Sequence, residues 1–442
     1  MASFPQVKPA AFTYPIAAPK SVDETQSAVR RIAFWFGVGL VFVRFSMLNE
    51  ILSYVSGRNF YLLYFLGIPA LFGLFVSGGI LRVLRERPAI LWVCFGVWAV
   101  MAIPFSIWRG GSAHTVSAYW KTELIMMFVI GGLMRTWREC RVVMFAIAAG
   151  AAVNIFSSRL FGQVEMTGRI SLDFGTVANA NDFAGHLLLV LPFLIWVALS
   201  CKSRMLRAAA LGGLSYGVYL VLASGSRGAL VALAVDVLFI IFTGKRRYRV
   251  GLLFLAPVIV TIAITVLPGA VINRLSSFSS SQSGASEEAL GSSEARQTLL
   301  RDSIIGALRN PFFGVGPGQF ATYEGSKEEL RGTGAYWHGA HNSFAQAASE
   351  CGIPALFLYL AAIWSSWHLL KVIGQHTSRN PQLPDVTNAV FCIKLAVIGF
   401  CTAVFFLNFT YTFYLPAMTG LAIALASAVR LDRTRRTAVP AR

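Results

Sequence analysis

The chain has 442 residues, of which 56% are hydrophobic and only 13% charged, and it carries a formal net charge of +18. Soluble globular proteins carry about 25% charged residues, so this composition excludes an ordinary soluble domain; repeated apolar runs near 20 residues describe an all-α integral membrane protein. Its six cysteines include no CxxC pair, which argues against a disulfide framework or a zinc site.

Taken in order, residues 1–31 are polar and proline-rich and read as a disordered cytoplasmic tail, not a secretory signal. Apolar runs then fall near 32–48, 60–80, 89–107, 122–134, 142–156, 183–200, 208–223, 229–242 and 250–268. Three more follow near 352–373, 390–408 and 412–429, giving about twelve transmembrane helices. Nine lie in residues 32–268 and three in 352–429, with residues 269–351 forming one large extracytoplasmic loop between the ninth and tenth spans. A basic tail, 430–442, ends the chain.

The charge distribution supports this count. Arg30 and Arg31, Arg82, Arg85 and Arg87, Arg135, Arg138 and Arg141 lie in alternate connections. So do Lys202, Arg204 and Arg207, the Lys245–Arg249 cluster, and the arginines after residue 429. The positive-inside rule places these and both termini in the cytoplasm. The positive charge is therefore a topology signal and not a nucleic-acid footprint.

The remaining loops face outward and hold the polar motifs. Arg169 precedes Asn179-Ala-Asn181-Asp182 at the start of the sixth apolar run, where Asn181 and Asp182 suit helix capping, or Arg169 and Asn181 line the outer mouth and contact sugar or phosphate. Ser224-Gly-Ser-Arg227-Gly-Ala places a cation in a short outward loop, as a phosphate contact or as a snorkelling interfacial side chain. In the large loop, a Ser-rich segment leads to Arg296 and Arg301 on an amphipathic helix with Leu299, Ile304, Ile305 and Leu308. Gly314-Val-Gly316-Pro317-Gly318 forms a tight turn, either structural or a substrate cradle. His338-Gly-Ala-His341-Asn342-Ser343-Phe344 closes the loop. A neutral imidazole there can accept a hydroxyl proton near pH 7. A metal role for His338 and His341 has no carboxylate or cysteine to complete it.

The combination of Ser-Arg227-Gly-Ala, Asn-Pro-Phe-Phe-Gly-Val-Gly-Pro-Gly-Gln-Phe at 310–320 and His341-Asn-Ser-Phe with Gly352-Ile-Pro354 resembles the O-antigen ligase superfamily. Arg169 with Asn179-Ala-Asn181 is similar to a further signature of that group, with Ala180 where proline is common. The resemblance spans about residues 90–430. It implies a GT-C-like membrane glycosyltransferase at the periplasmic face of the bacterial inner membrane. The implied reaction is inverting and metal-independent, with no cofactor. It takes a glycan from an undecaprenyl-diphosphate donor to a hydroxyl on lipid A core, another glycan or a protein.

Carried over residue by residue, the resemblance implies His341, Arg227 and Arg296 as catalytic, with Arg301 a rival for Arg296. It leaves Arg169, Asn181, Gly316, Gly318, Asn342, His338 and Arg301 as substrate contacts. The competing expectation is a lipid-linked-glycan flippase or transporter. That reading fits less well, because transport sites sit near the bilayer midplane and these motifs gather outside it.

Overall fold

The computed structural model describes residues 28–164, 168–172, 175–177, 179–276, 287–330, 339–378 and 384–438. The first tail up to residue 27, most of the Ser-rich segment, Asp173 and His338 lie outside the described residues. Among the described residues the architecture is all-α apart from one small hairpin.

The chain opens with α1 (Ala28–Ser46), α2 (Leu48–Ser56), α3 (Leu62–Val76), α4 (Gly79–Val83) and α5 (Arg87–Ala102). Next come α6 (Arg109–Ala118), a π-helical turn (Tyr119–Glu123), α7 (Ile125–Leu133) and α8 (Trp137–Phe161). A hairpin pairs β1 (Gln163–Val164) antiparallel with β2 (Ile170–Ser171), Gln163 opposite Ser171. It leads to α9 (Ala180–Ser200), α10 (Arg204–Ala223), α11 (Arg227–Thr243) and α12 (Arg246–Val266). The expected large loop is itself largely helical, with α13 (Gly269–Ser276), α14 (Glu287–Arg309), α15 (Phe320–Leu330) and α16 (Ser343–Cys351). The chain ends with α17 (Ile353–Ser378), α18 (Pro384–Ala403) and α19 (Tyr414–Ala438).

All twelve apolar runs fall on helices. Among the described residues, seven helices are long and apolar enough to cross a membrane, or eight if α1 and α2, bent by 64°, make one span. α3, at 15 residues, is shorter than a straight crossing requires. The break between α1 and α2 falls on Met47, buried and left-handed at φ 53°.

α9 and α19 form the centre, with 83% and 78% of their apolar windows buried, whereas α10 and α17 bury 28% each and turn most of their apolar surface outward. α9 packs between α8, α10 and α18, α19 lies along α7, and α17 lies along α5. Within this apolar centre a polar chain joins four helices. Asn154 Nδ2 donates to Phe45 O at 2.7 Å and lies 2.7 Å from His186 Nε2, and His186 Nδ1 lies 3.0 Å from Tyr414 Oη. A buried polar group costs stability unless bonded, so such a chain also fixes how the helices register. His186 thus links α8 and α19 through its two ring nitrogens.

Many loop cations gather at one end of the bundle, where they bind helix C-terminal carbonyls. Arg30 reaches Leu133 O at 2.8 Å and Glu139 at 2.7 Å, Arg82 reaches Gly132 O at 3.1 Å, and Arg207 reaches Ala198 O at 3.0 Å. Arg430 pairs with Glu86 at the same end. Cations are favoured at these negative helix termini. Arg44, in the last turn of α1, pairs with Glu123 at 2.6 Å and lies over the ring of Phe413.

Candidate active site

The sequence motifs meet at the opposite end, where α9, α11 and α16 begin. Each of these helices starts on a side-chain cap. Asn179 accepts from Asn181 N and Asp182 N, Ser226 from Ala229 N, and Asn342 from Phe344 N and Ala345 N. Capping leaves the motif residues just inside or just outside three positive helix ends, an arrangement that favours an anion. The cap of α9 is Asn179, not Asn181 or Asp182. Asn181 is thereby released for another partner.

That partner is Arg169. Its Nη2 donates to Asn181 Oδ1 at 3.0 Å and its Nε to Ser224 O at 2.8 Å. The buried guanidinium ties the start of α9 to the turn between α10 and α11. Arg227 is the first residue of α11 and is half-buried. The hairpin supplies Arg169 immediately before β2.

The segment from Val404 to Phe413 acts as a strap across this end. Gly185 of α9 and Gly228 of α11 leave room for Leu407 and Phe406; a Cβ on Gly228 would stand 2.6 Å from the Phe406 ring. The fully buried Ser343 fastens α16 to the same strap. Its Oγ donates to Leu407 O and accepts from Phe409 N, both at 2.8 Å, and its carbonyl accepts from Thr410 Oγ1 at 2.7 Å. Nothing in the short polar stretch Asn408-Phe-Thr410 marked it as the piece that joins three motif-bearing helices. Gly339, beside Asn408, belongs to the same junction.

His341 lies two residues before the α16 helix, half-buried, with φ 46°. Among the described residues only Met47, Tyr61 and His341 are non-glycine residues at positive φ. Such a conformation costs on the order of 1–3 kcal/mol and persists only where surrounding contacts impose it; in proteins it concentrates at functional sites. Here the imposing contacts are the Asn342 cap and the Ser343 bonds that follow at once.

α14 packs along α16. It buries Ser303, Gly306 and Ala307, small side chains that permit close approach, with Arg296 half-buried on the flank. Arg296 acts electrostatically on Asp182, in the first turn of α9. Arg301 is exposed on the opposite side, near the exposed Leu300, Ile304 and Leu308. The amphipathic helix is present, but Leu299 and Ile305 are half-buried while Ile304 and Leu308 face out.

The glycine turn is a clasp between segments. Val315 N donates to Ser349 O at 2.8 Å and Gly316 N to Glu350 O at 2.9 Å, while Ile107 N donates to Val315 O at 3.1 Å. Gly316 has φ 113°, and a Cβ there would run into Ser106 Oγ; at Gly318 it would run into Thr115. Gly316 and Gly318 thus face protein on the side a Cβ would occupy. The buried Glu350 was not singled out in the sequence. Its carboxylate accepts from Gly318 N at 2.8 Å, from Phe320 N at 3.3 Å and from Gln346 Nε2 at 3.3 Å.

His341, Arg227, Arg169, Asn181, Asn342 and Arg296 therefore belong to one connected end of the bundle. The connecting residues are Asp182, Ser224, Ser343 and the strap. His338 falls outside the described residues, and Arg301 is exposed on α14. Among the described residues no group of three His, Cys, Asp or Glu side chains is placed to hold a metal ion. Residues 212–360 match the family model described as O-Antigen ligase. That span includes Arg227, Arg296 and His341 and leaves Arg169 and Asn181 before its start. No curated protein matches the chain.

Proposed function

We propose that this multi-pass membrane protein of the O-antigen ligase superfamily transfers a glycan from a polyprenyl diphosphate, of the undecaprenyl kind, to an acceptor hydroxyl. The observation that carries the reading is the strained His341 beside the capped start of α16, in the same end of the bundle as Arg227 and Arg296. His341 accepts the proton of the attacking hydroxyl. The acceptor oxygen bonds to the anomeric carbon from the face opposite the diphosphate, and the glycosidic carbon–oxygen bond to phosphate breaks with inversion. The electron pair leaves on the diphosphate, where the guanidinium groups of Arg227 and Arg296 stabilise the growing charge. A diphosphate is already a good leaving group, so neither an acidic side chain nor a metal is needed.

Arg169 holds Asn181 and the Ser224 turn, and thereby the approach of the donor headgroup to Arg227. The half-buried face of Arg296 and its reach to Asp182 support Arg296 over Arg301 as the second cation. The reaction takes place at the outer face of the inner membrane, with the cation-rich opposite end and both termini in the cytoplasm. The acceptor is lipid A core, a further glycan chain or a protein hydroxyl, corresponding to ligation, polymerisation or protein glycosylation.

Donor binding and single-turnover transfer, measured on purified variants, test this assignment. His341→Ala should keep donor binding and lose roughly 10²–10⁴ in rate, the usual cost of removing a general base. Arg227→Lys should weaken binding and turnover together, because an ammonium keeps the charge but loses the planar fork. Equal loss of donor binding in both variants would make His341 a diphosphate ligand and remove the base from the mechanism.

A further inference from the structure

A carboxylate at the C-terminal end of a helix is in the wrong place, since the helix end is itself negative. Glu350 occupies such a position in α16, buried to 3% exposure. What keeps it there is a set of donors from separate segments. Gly318 N and Phe320 N come from the glycine turn, Gln346 Nε2 from one turn back in α16, and the Tyr411 hydroxyl from the strap. The strap holds the other end of α16 through Ser343. Both ends of this nine-residue helix are thus fastened to the segment 404–413, and His341 sits just before the first fastening.

We propose that Glu350 is a positioning residue: its ionised carboxylate seats α16 between the glycine turn and the strap, and so sets where His341 meets the acceptor. This inference rests on the transferase reading given above. Protonation turns an acceptor of several bonds into a group with a donor, facing the backbone N–H groups of Gly318 and Phe320, which can only donate. The seat then loosens without any change in the arginines that bind diphosphate.

The carboxyl is placed to switch in the physiological range. Burial pushes it up to about 7, against the opposing effect of the Gly318 backbone, Tyr411, the Phe320 backbone and Gln346. The titratable groups facing it are Tyr411 and, behind that, Cys351, whose Sγ lies 3.1 Å from Tyr411 Oη; burial holds both in their neutral forms.

Cys351 gives a reading independent of catalysis, because it is buried next to Glu350. In a full-length protein whose other five cysteines are alanine, thiol labelling of Cys351 reports how firmly α16 is seated. Glu350→Gln should label on the order of tenfold faster than the parent at pH 8, the worth of one charge-assisted hydrogen bond. Its single-turnover rate should fall on the order of tenfold with donor affinity unchanged, and its acid limb should show one protonation fewer. Tyr411→Phe, which retains the ring, should move the acid limb of transfer to higher pH, because the carboxylate loses a donor. Parental labelling of Glu350→Gln, or an unmoved acid limb in Tyr411→Phe, would overturn the proposal. Because labelling needs no substrate, its outcome stands even if His341→Ala showed that His341 is not the base.

Discussion

Replacing Ser343 by alanine removes one oxygen and should cost far more than a surface change. The hydroxyl is fully buried, donates to Leu407 O and accepts from Phe409 N, so its loss strands two backbone groups. A buried unsatisfied group costs about 1–3 kcal/mol, and alanine leaves no atom in reach of either. The expected destabilisation is therefore about 2–4 kcal/mol after partial relaxation. Thr410→Val is the matched control. It deletes a donor to Ser343 O, a carbonyl that sits at a helix start and keeps access to helical N–H groups, and should cost about 1 kcal/mol. Thermal unfolding in detergent should rank wild type above Thr410→Val above Ser343→Ala, with the transfer rate of Ser343→Ala falling even below its melting range because His341 is displaced. A double-mutant cycle should show coupling, since both side chains make bonds that fasten Ser343 to the same strap. Wild-type melting and wild-type transfer in Ser343→Ala would refute the idea that the strap positions α16.

Two further changes probe the surrounding frame. Gly316→Ala combines a strained φ of 113° with a collision against Ser106, and should destabilise by about 3 kcal/mol; adding Ser106→Gly should relieve only the collision, which a melting comparison resolves. Arg296→Ala should weaken donor binding by roughly tenfold or more, whereas Arg301→Ala should change it by less than about twofold, both read by titration with lipid-linked donor.

The helices were legible because a membrane span must satisfy its backbone internally, which leaves long apolar runs as an unmistakable record. The charge asymmetry was legible for a related reason: arginines accumulate where they also close helix C-termini, as Arg30, Arg82 and Arg207 do. The grouping of Arg169, Asn181 and the Arg227 turn could be suspected from composition, but not its mechanism. That Asn179 caps α9 and frees Asn181 depends on a two-residue difference in where the helix starts, within the usual uncertainty of a boundary. Apolar periodicity marks the large side chains of α14, whereas its close approach to α16 uses Ser303, Gly306 and Ala307, which carry no such signal. Glu350 follows the His341 motif in sequence but has no pattern that assigns it a role; only the fold brings Gly318 N, Phe320 N and Tyr411 to it.

The ion pair inside the first helix bears on how the protein is made. Arg44 finds Glu123 79 residues later in the chain, and Glu123 also accepts from Phe413 N near the last helix. At a synthesis rate of about 5–20 residues per second, the arginine waits roughly 4–16 s for its counter-charge. During that interval its long side chain can reach toward the headgroups from the last turn of α1. The carboxylate that secures the first helix also accepts from the backbone just before the final helix. One carboxylate thus joins the first helix, the turn before α7 and the strap before α19, a junction that is complete only once residue 413 has been made.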